Sequence, residues 1–254
     1  MNRLDSATFQ LRQLKGGLAS LFAATSVFLI FYWFMPVLWE KYVVTTGIGY
    51  PVGIFNAFGT GGLYGIGMSV ILLKCKVFGS EGAHHPIFII VNTLGGFLHL
   101  LSFTYYFNSF GVTLDTLYTL VGIFAWFHHR AWKTDWTVQR ISWGILAQIV
   151  AVFLVIFVFV WNVWPGVETF ARTTNFPFHN IGFAGGIFIL ASFIGISKKW
   201  IDSHGKVFAV IYVLGCVFYI TNLMLDFNPF TVALQSGLIY FFLFPIRIRV
   251  PRVA

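Results

Sequence analysis

Polar side chains able to hold a solute recur at helical spacing inside otherwise apolar runs. Asn92, His99 and Tyr106 follow one another at intervals of seven, which returns an α-helix to nearly the same face. A second stripe, Tyr212, Tyr219 and Asp226, repeats the spacing. Asp115 and Gln235 sit in the run after each stripe, and Asp115 is the one acid well inside an apolar run. Polar groups within a bilayer are expensive, so they tend to face a bundle interior or a wet cavity. The same residue types also join helices through hydrogen bonds. As paired stripes they are expected to line a path through a transporter, with a non-transporting membrane subunit as an alternative. Asn92, His99, Asp115, Tyr212, Tyr219 and Gln235 are expected to orient a small-molecule substrate, supported by Tyr106, Tyr118, Trp126 and Asn222. Aromatic residues make up 20% of the chain, with 31 Phe, and flat rings suit stacking on a heteroaromatic solute. Tyr118, Trp126, Tyr212, Tyr219 and Tyr240 add a polar handle or lie beside the stripes. A single interior acid points to facilitated diffusion rather than ion coupling.

Histidines raise a competing chemistry. His84-His85, His128-His129 and His204 fall at the ends of apolar runs that share one side, so they could meet in space. A histidine-bound metal of the membrane oxygenase or desaturase kind would use that face. Such sites place ligands one helical turn apart, and this chain has seven His with no HxxxH or HxxHH. No catalytic residue, cofactor or metal is therefore assigned. There is no GxSxG, phosphate-binding loop or HExxH. Cys75 and Cys216 lie far apart with no ligand spacing. The glycines of residues 59–67 are expected to let helices approach.

The elements that must position these residues are membrane helices. The chain of 254 residues is 58% hydrophobic and 9% charged, against about 25% charged in a soluble domain. Continuous apolar runs, rather than alternating ones, select helices over a barrel. The expected fold is all-α, a polytopic transmembrane bundle of about eight spans near 17–39, 51–73, 86–107, 110–128, 141–164, 179–197, 206–225 and 229–247, each close to the length a bilayer requires. Residues 1–16 read as a polar, weakly basic tail, and the first run is too long for a cleaved leader. Proline marks run ends, Pro165 among them, and tryptophans at run ends fit interfacial belts. With the amino terminus cytoplasmic, 14 of the 16 Lys and Arg residues fall on one side, which places both termini in the cytoplasm. The +8 net charge is accounted for by anchoring in the lipid bilayer, so no nucleic-acid partner is expected. A homo-oligomer is compatible with this reading.

The pattern of residues 88–114 returns 120 positions later. Phe88 meets Phe208, Leu94 meets Leu214, Gly95 meets Gly215, Phe107-Asn108-x-Phe110 meets Phe227-Asn228-x-Phe230, and Leu114 meets Leu234. An internal duplication follows, with both copies running in the same direction. The expected layout is a tail and extra helix (1–48), a first three-helix repeat (49–130), a linker helix (131–172) and a second repeat with the carboxy-terminal tail (173–254). Parallel repeats about an axis along the membrane normal are a known transporter plan.

Pro86, Asn92, Tyr106-x-Asn108, Gly122 and Trp126, together with the stretch from Asn175-Phe-Pro-Phe through Ser197-Lys-Lys-Trp200 to Arg249, resemble the Pnu family of bacterial vitamin transporters over about residues 50–250. That family has a 3 + 1 + 3 plan similar to the SWEET sugar transporters. The resemblance implies a multi-pass inner-membrane facilitator for nicotinamide riboside, riboflavin or thiamine, working by alternating access. Asn108 stands where the family has Asp. Val207 and Val210 occupy the region of the family's paired Trp, leaving Tyr212 and Tyr219 as candidates for the aromatic clamp.

Overall fold

The computed structural model describes residues 3–39, 52–105, 109–139, 141–174, 178–225 and 229–244. Tyr106, Asn108, Asp226 and Asn228 lie outside the described residues, as do Lys41 and the basic tail from Arg247 to Arg252. The described residues form eight α-helices and no strand: α1 (Arg3–Trp39), α2 (Val52–Lys74), α3 (Pro86–Tyr105), α4 (Ser109–His128), α5 (Trp143–Thr173), α6 (Phe178–Ser197), α7 (Lys206–Leu225) and α8 (Pro229–Leu243). Three segments are long and apolar enough to cross a membrane: Ala7–Trp33, Phe110–His128 and Trp143–Val167.

Local chemistry explains the helix ends. Pro86 and Pro229 open α3 and α8, where the missing N–H has no intrahelical role. Ser142 caps α5 by accepting from the Ile145 N–H at 3.3 Å. Helices α2 and α6 stop in the same way. Lys76 and Lys199 each take φ 56°. The Lys76 N–H bonds to Leu73 O and the Val77 N–H to Leu72 O, and Lys199 and Trp200 repeat this with Ile196 O and Gly195 O. This is the left-handed stop that normally selects glycine.

Two expectations change. The first sixteen residues are not a separate tail, because α1 begins at Arg3 and is continuous with the apolar run. Its polar first turns have a surface to hold: Gln13 Oε1 accepts from the Asp202 N–H at 2.7 Å, and Gly16 lies against the Trp200 backbone. Helix α5 does not end at Pro165 but continues to Thr173. Proline removes one donor there, and Thr169 Oγ1 binds back to Pro165 O at 2.8 Å, so the ladder resumes beyond it.

Helices α2, α3 and α4 pack in sequence, as do α6, α7 and α8. Between these two units α4 lies on α6, and α2 on α8. The contacts correspond. A Cβ on Gly62 would sit 2.5 Å from Gly95 O, and one on Gly185 would sit 2.8 Å from Gly215 O. A Cβ on Gly95 would meet Ile66 Cγ1 at 2.7 Å, and one on Gly215 would meet Ile189 Cγ1 at 2.8 Å. Ser69 donates to Ile66 O at 2.7 Å and Ser192 to Ile189 O at 2.6 Å. Leu234 of α8 covers Gly67, and Leu114 of α4 covers Gly186. Helix α1 lies against α6, α4 and α7, whereas α5 lies against α8 and α7. The outward faces of both stay apolar, with Phe22 76%, Trp33 80%, Val155 69% and Phe159 66% exposed.

The close glycine contact makes a direct prediction. Gly62→Ala drives a methyl into the α3 backbone, whereas Gly61→Ala meets nothing within 4 Å. Unfolding in detergent is expected to show Gly62→Ala destabilised by about 1–3 kcal/mol and Gly61→Ala unchanged or stabilised through helix propensity.

Candidate functional site

Glycine contact between helix backbones sets where the polar residues stand. The His99 N–H is 3.1 Å from a Cβ on Gly62, and Gly185 faces the Tyr219 N–H in the same way. Both side chains then reach a cavity of about 40 Å³ between the two units. All six helices of the units line it: Leu63, Ile66 and Gly67 from α2, His99 from α3, Leu114, Asp115 and Tyr118 from α4, Ile189 from α6, Tyr212 and Tyr219 from α7, and Gln235 and Leu238 from α8. Neither α1 nor α5 contributes. The volume admits a few waters.

Within it, His99 Nδ1 is 2.8 Å from Asp115 Oδ2, with side chains 11% and 8% exposed. Among the described residues no Lys or Arg lines the cavity. Gln235 is buried, and its Oε1 has no hydrogen-bond partner among the described residues. Tyr118 donates its hydroxyl to Asn92 Oδ1, while Asn92 Nδ2 donates to Ser69 Oγ at 2.7 Å and to Phe88 O at 2.8 Å. Asn92 therefore stands behind the lining and holds a ring that faces the cavity. Toward the basic end, Phe193 lies edge-on to Tyr118 at 4.5 Å and to Tyr212 at 6.0 Å. Tyr212 stacks on Phe242 at 5.0 Å, and Lys74 Nζ lies 4.8 Å from that ring's centre. These rings fill the space between the cavity and the loops at that end.

Of the residues the sequence singles out, the structure brings His99, Asp115, Tyr118, Tyr212, Tyr219 and Gln235 together. Trp126 is not among them. It packs on Trp132 and Trp136 at the basic end, because α4 carries it more than two turns past Tyr118. Tyr240 turns outward and packs on Phe241 and Phe244. Tyr106 and the Asn222 side chain lie outside the described residues. The sequence reading missed Gly67 and Ile189, which are lining positions without polar atoms.

No protein-family model, curated protein or solved structure matches the chain. The site must be read from its own geometry.

The histidines also meet. The His84 and His129 ring centres are 4.1 Å apart, with His128 4.9 Å from His129. His129 Nε2 contacts Ser197 O at 2.6 Å, tying the end of α4 to the end of α6. Among the described residues no three His, Cys, Asp or Glu side chains are grouped so as to hold a metal. Burial, followed by His129, Lys199 and His128, pushes the His84 imidazole down from 6.5 to about 3. His129 is lowered as well, chiefly by burial. His85 Nε2 lies 3.2 Å from Thr137 O in the following loop.

Two measurements test this arrangement. Asn92→Leu leaves the buried Tyr118 hydroxyl without its acceptor, which costs about 1–3 kcal/mol. Asn162→Leu, which removes only an exposed bond within α5, is expected to be near neutral. The lowered His84 pKa makes the folded chain bind fewer protons than the unfolded chain below 6.5, so stability falls as pH drops from there toward 3. The thermal midpoint is expected to decline from about pH 7 to about pH 5, and less steeply in His84→Phe.

Proposed function

We propose that the chain is a multi-pass membrane transporter whose two three-helix units, α2–α4 and α6–α8, enclose a central substrate site and open it alternately to either side. One observation carries this reading: the cavity is lined by all six helices of the units and by neither α1 nor α5. A site shared so evenly between two units is remade whenever they tilt against each other. The matching Gly62–Gly95 and Gly185–Gly215 contacts support an origin by duplication, with α5 as the linker and α1 as an added helix. Helices α2, α3, α6 and α7 are 23, 20, 20 and 20 residues long, which supports eight spans. Lys74, Lys198 and the histidines converge at one end, and this supports a cytoplasmic basic face. The rings around Phe193 then form the inner gate.

The lining favours a small organic cation. Asp115 supplies a carboxylate, among the described residues no Lys or Arg lines the cavity to oppose it, and Tyr118, Tyr212 and Tyr219 offer aromatic faces. Among the vitamins the Pnu resemblance implies, nicotinamide riboside and thiamine carry a cationic ring and riboflavin does not. A bacterial inner membrane fits the same resemblance. The cavity in this conformation holds only water-sized guests, so a vitamin enters after the units part.

Uptake of labelled nicotinamide riboside, thiamine and riboflavin into proteoliposomes tests the proposal. The two cations are expected to enter and riboflavin to stay outside. Asp115→Asn should lower cation uptake roughly ten- to a hundredfold, the loss of one charge-assisted contact of about 1.5–3 kcal/mol. Leu154→Ala on the exposed face of α5 should leave uptake unchanged. Flux of none of the cations would overturn the reading.

A further inference from the structure

The two units present unlike chemistry to the cavity. Across the shift of 120 positions, His99 corresponds to Tyr219 and Asp115 to Gln235. One unit therefore offers an imidazole beside a carboxylate, 2.8 Å apart, between which a proton can be held, and the other offers a phenol and an amide. The groups facing the pair are few. Helix α2 presents Leu63, Ile66 and Gly67, α6 presents Ile189, α7 presents Tyr212 and Tyr219, α8 presents Gln235, and α4 adds Tyr118. Among the described residues no Lys or Arg lines the cavity beside Asp115, so the group that faces its carboxylate is the His99 imidazole, 2.8 Å away.

That balance constrains what can bind. With one proton on the pair, the cavity is neutral overall, and an incoming cation meets a carboxylate already paired with imidazolium. Two positive charges about 4 Å apart repel by about 4 kcal/mol at an effective dielectric constant near 20. Releasing the proton removes that repulsion and leaves a carboxylate for the cation beside a neutral imidazole. Gln235 Oε1, buried and without a hydrogen-bond partner among the described residues, is an acceptor available to the water that carries the proton away.

We propose that the His99–Asp115 pair exchanges one proton for one organic cation, so that transport is proton-coupled rather than simple diffusion. This rests on the cation-transport reading above. In the step, the imidazolium N–H bond of His99 breaks and its proton passes to cavity water. The cation takes its place against the Asp115 carboxylate, and total charge is conserved. On the opposite side the cation leaves and His99 is reprotonated. The exchange is electroneutral, and the cation moves against the proton.

Nicotinamide riboside and N-methylpyridinium are suitable probes because each carries permanent charge and has no proton of its own to release. In weakly buffered detergent solution near pH 7, saturating either probe onto the wild-type protein is expected to release close to one proton per bound cation. In proteoliposomes clamped at zero voltage, a tenfold proton gradient with the lumen acidic should concentrate the cation inside by up to about tenfold. In His99→Gln, any remaining flux should ignore the pH gradient. Wild-type binding and flux without proton release or gradient-driven accumulation would overturn the exchange and leave the transport reading intact. A His99→Gln protein that still releases one proton per cation would overturn the assignment to this pair. No binding and no flux of either probe would sink both proposals.

Discussion

Helices that cross a membrane gain nothing from burying leucine against leucine, since lipid offers the same surface, and three segments of this chain are long and apolar enough to cross one. Association must come from close packing and internal hydrogen bonds, and the closest packing is backbone on backbone. The chain achieves it where Gly62 meets Gly95 and where Gly185 meets Gly215. This constraint reaches the site directly. The residues one turn beyond Gly95 and Gly215 are His99 and Tyr219, and their amides lie against Gly62 and Gly185. Helix spacing and the position of the cavity's polar groups are thus one fact. A side chain in place of either glycine would push α3 or α7 outward and take His99 or Tyr219 with it.

Inside this frame the polar residues divide by how they are satisfied. Asn92, Ser69 and Tyr118 form a closed chain of hydrogen bonds within the first unit, which fixes the Tyr118 ring and leaves little to offer a solute. Ser192 spends its hydroxyl on its own helix. His99 and Asp115 hold each other, an arrangement that stays favourable in low dielectric only while the charges match. Gln235 Oε1 differs from these, a buried acceptor in the cavity lining without a hydrogen-bond partner among the described residues. Polar groups at this depth that are already paired serve the fold. Those that are unpaired or exchangeable are the ones with chemistry left to perform.

Much of the fold was legible in the sequence because long apolar helices obey few rules. Apolar length gave the all-α class and helices close to the observed ones. Intervals of seven put His99 on α3 and Tyr212 and Tyr219 on α7 at the cavity. Trp126 shows the limit of such reasoning. Its residue type suits a solute ring, but its height along α4 places it in the Trp132–Trp136 cluster, and a stripe read without depth cannot separate the two. The tail was misjudged because polarity alone says nothing about a partner surface, which the loop around Trp200 and Asp202 supplies.

The correspondence between α2 and α6 was hidden for a different reason. The second and third helices of each unit align at a shift of 120, as Gly95 does with Gly215. Gly62, Ile66, Ser69 and Lys76 align instead with Gly185, Ile189, Ser192 and Lys199, a shift of 123. The loop after α2 holds the extra three residues and contains the 3₁₀ turn Gly82–His84. Comparison at one fixed offset therefore loses the first helix of each unit, although its glycine, its serine and its left-handed lysine stop are all repeated. The turn that breaks the register also carries His84 to His129 at the end of α4, and the second unit has no such turn among its described residues. The units differ at the His99–Asp115 pair in the cavity, at Asn92 and Tyr118, where the second unit has Tyr212 and Leu238, and at the histidine contact. On the transport reading proposed above, the differences in the cavity and at the histidine contact are where a bound proton or cation biases one arrangement of the units over the other.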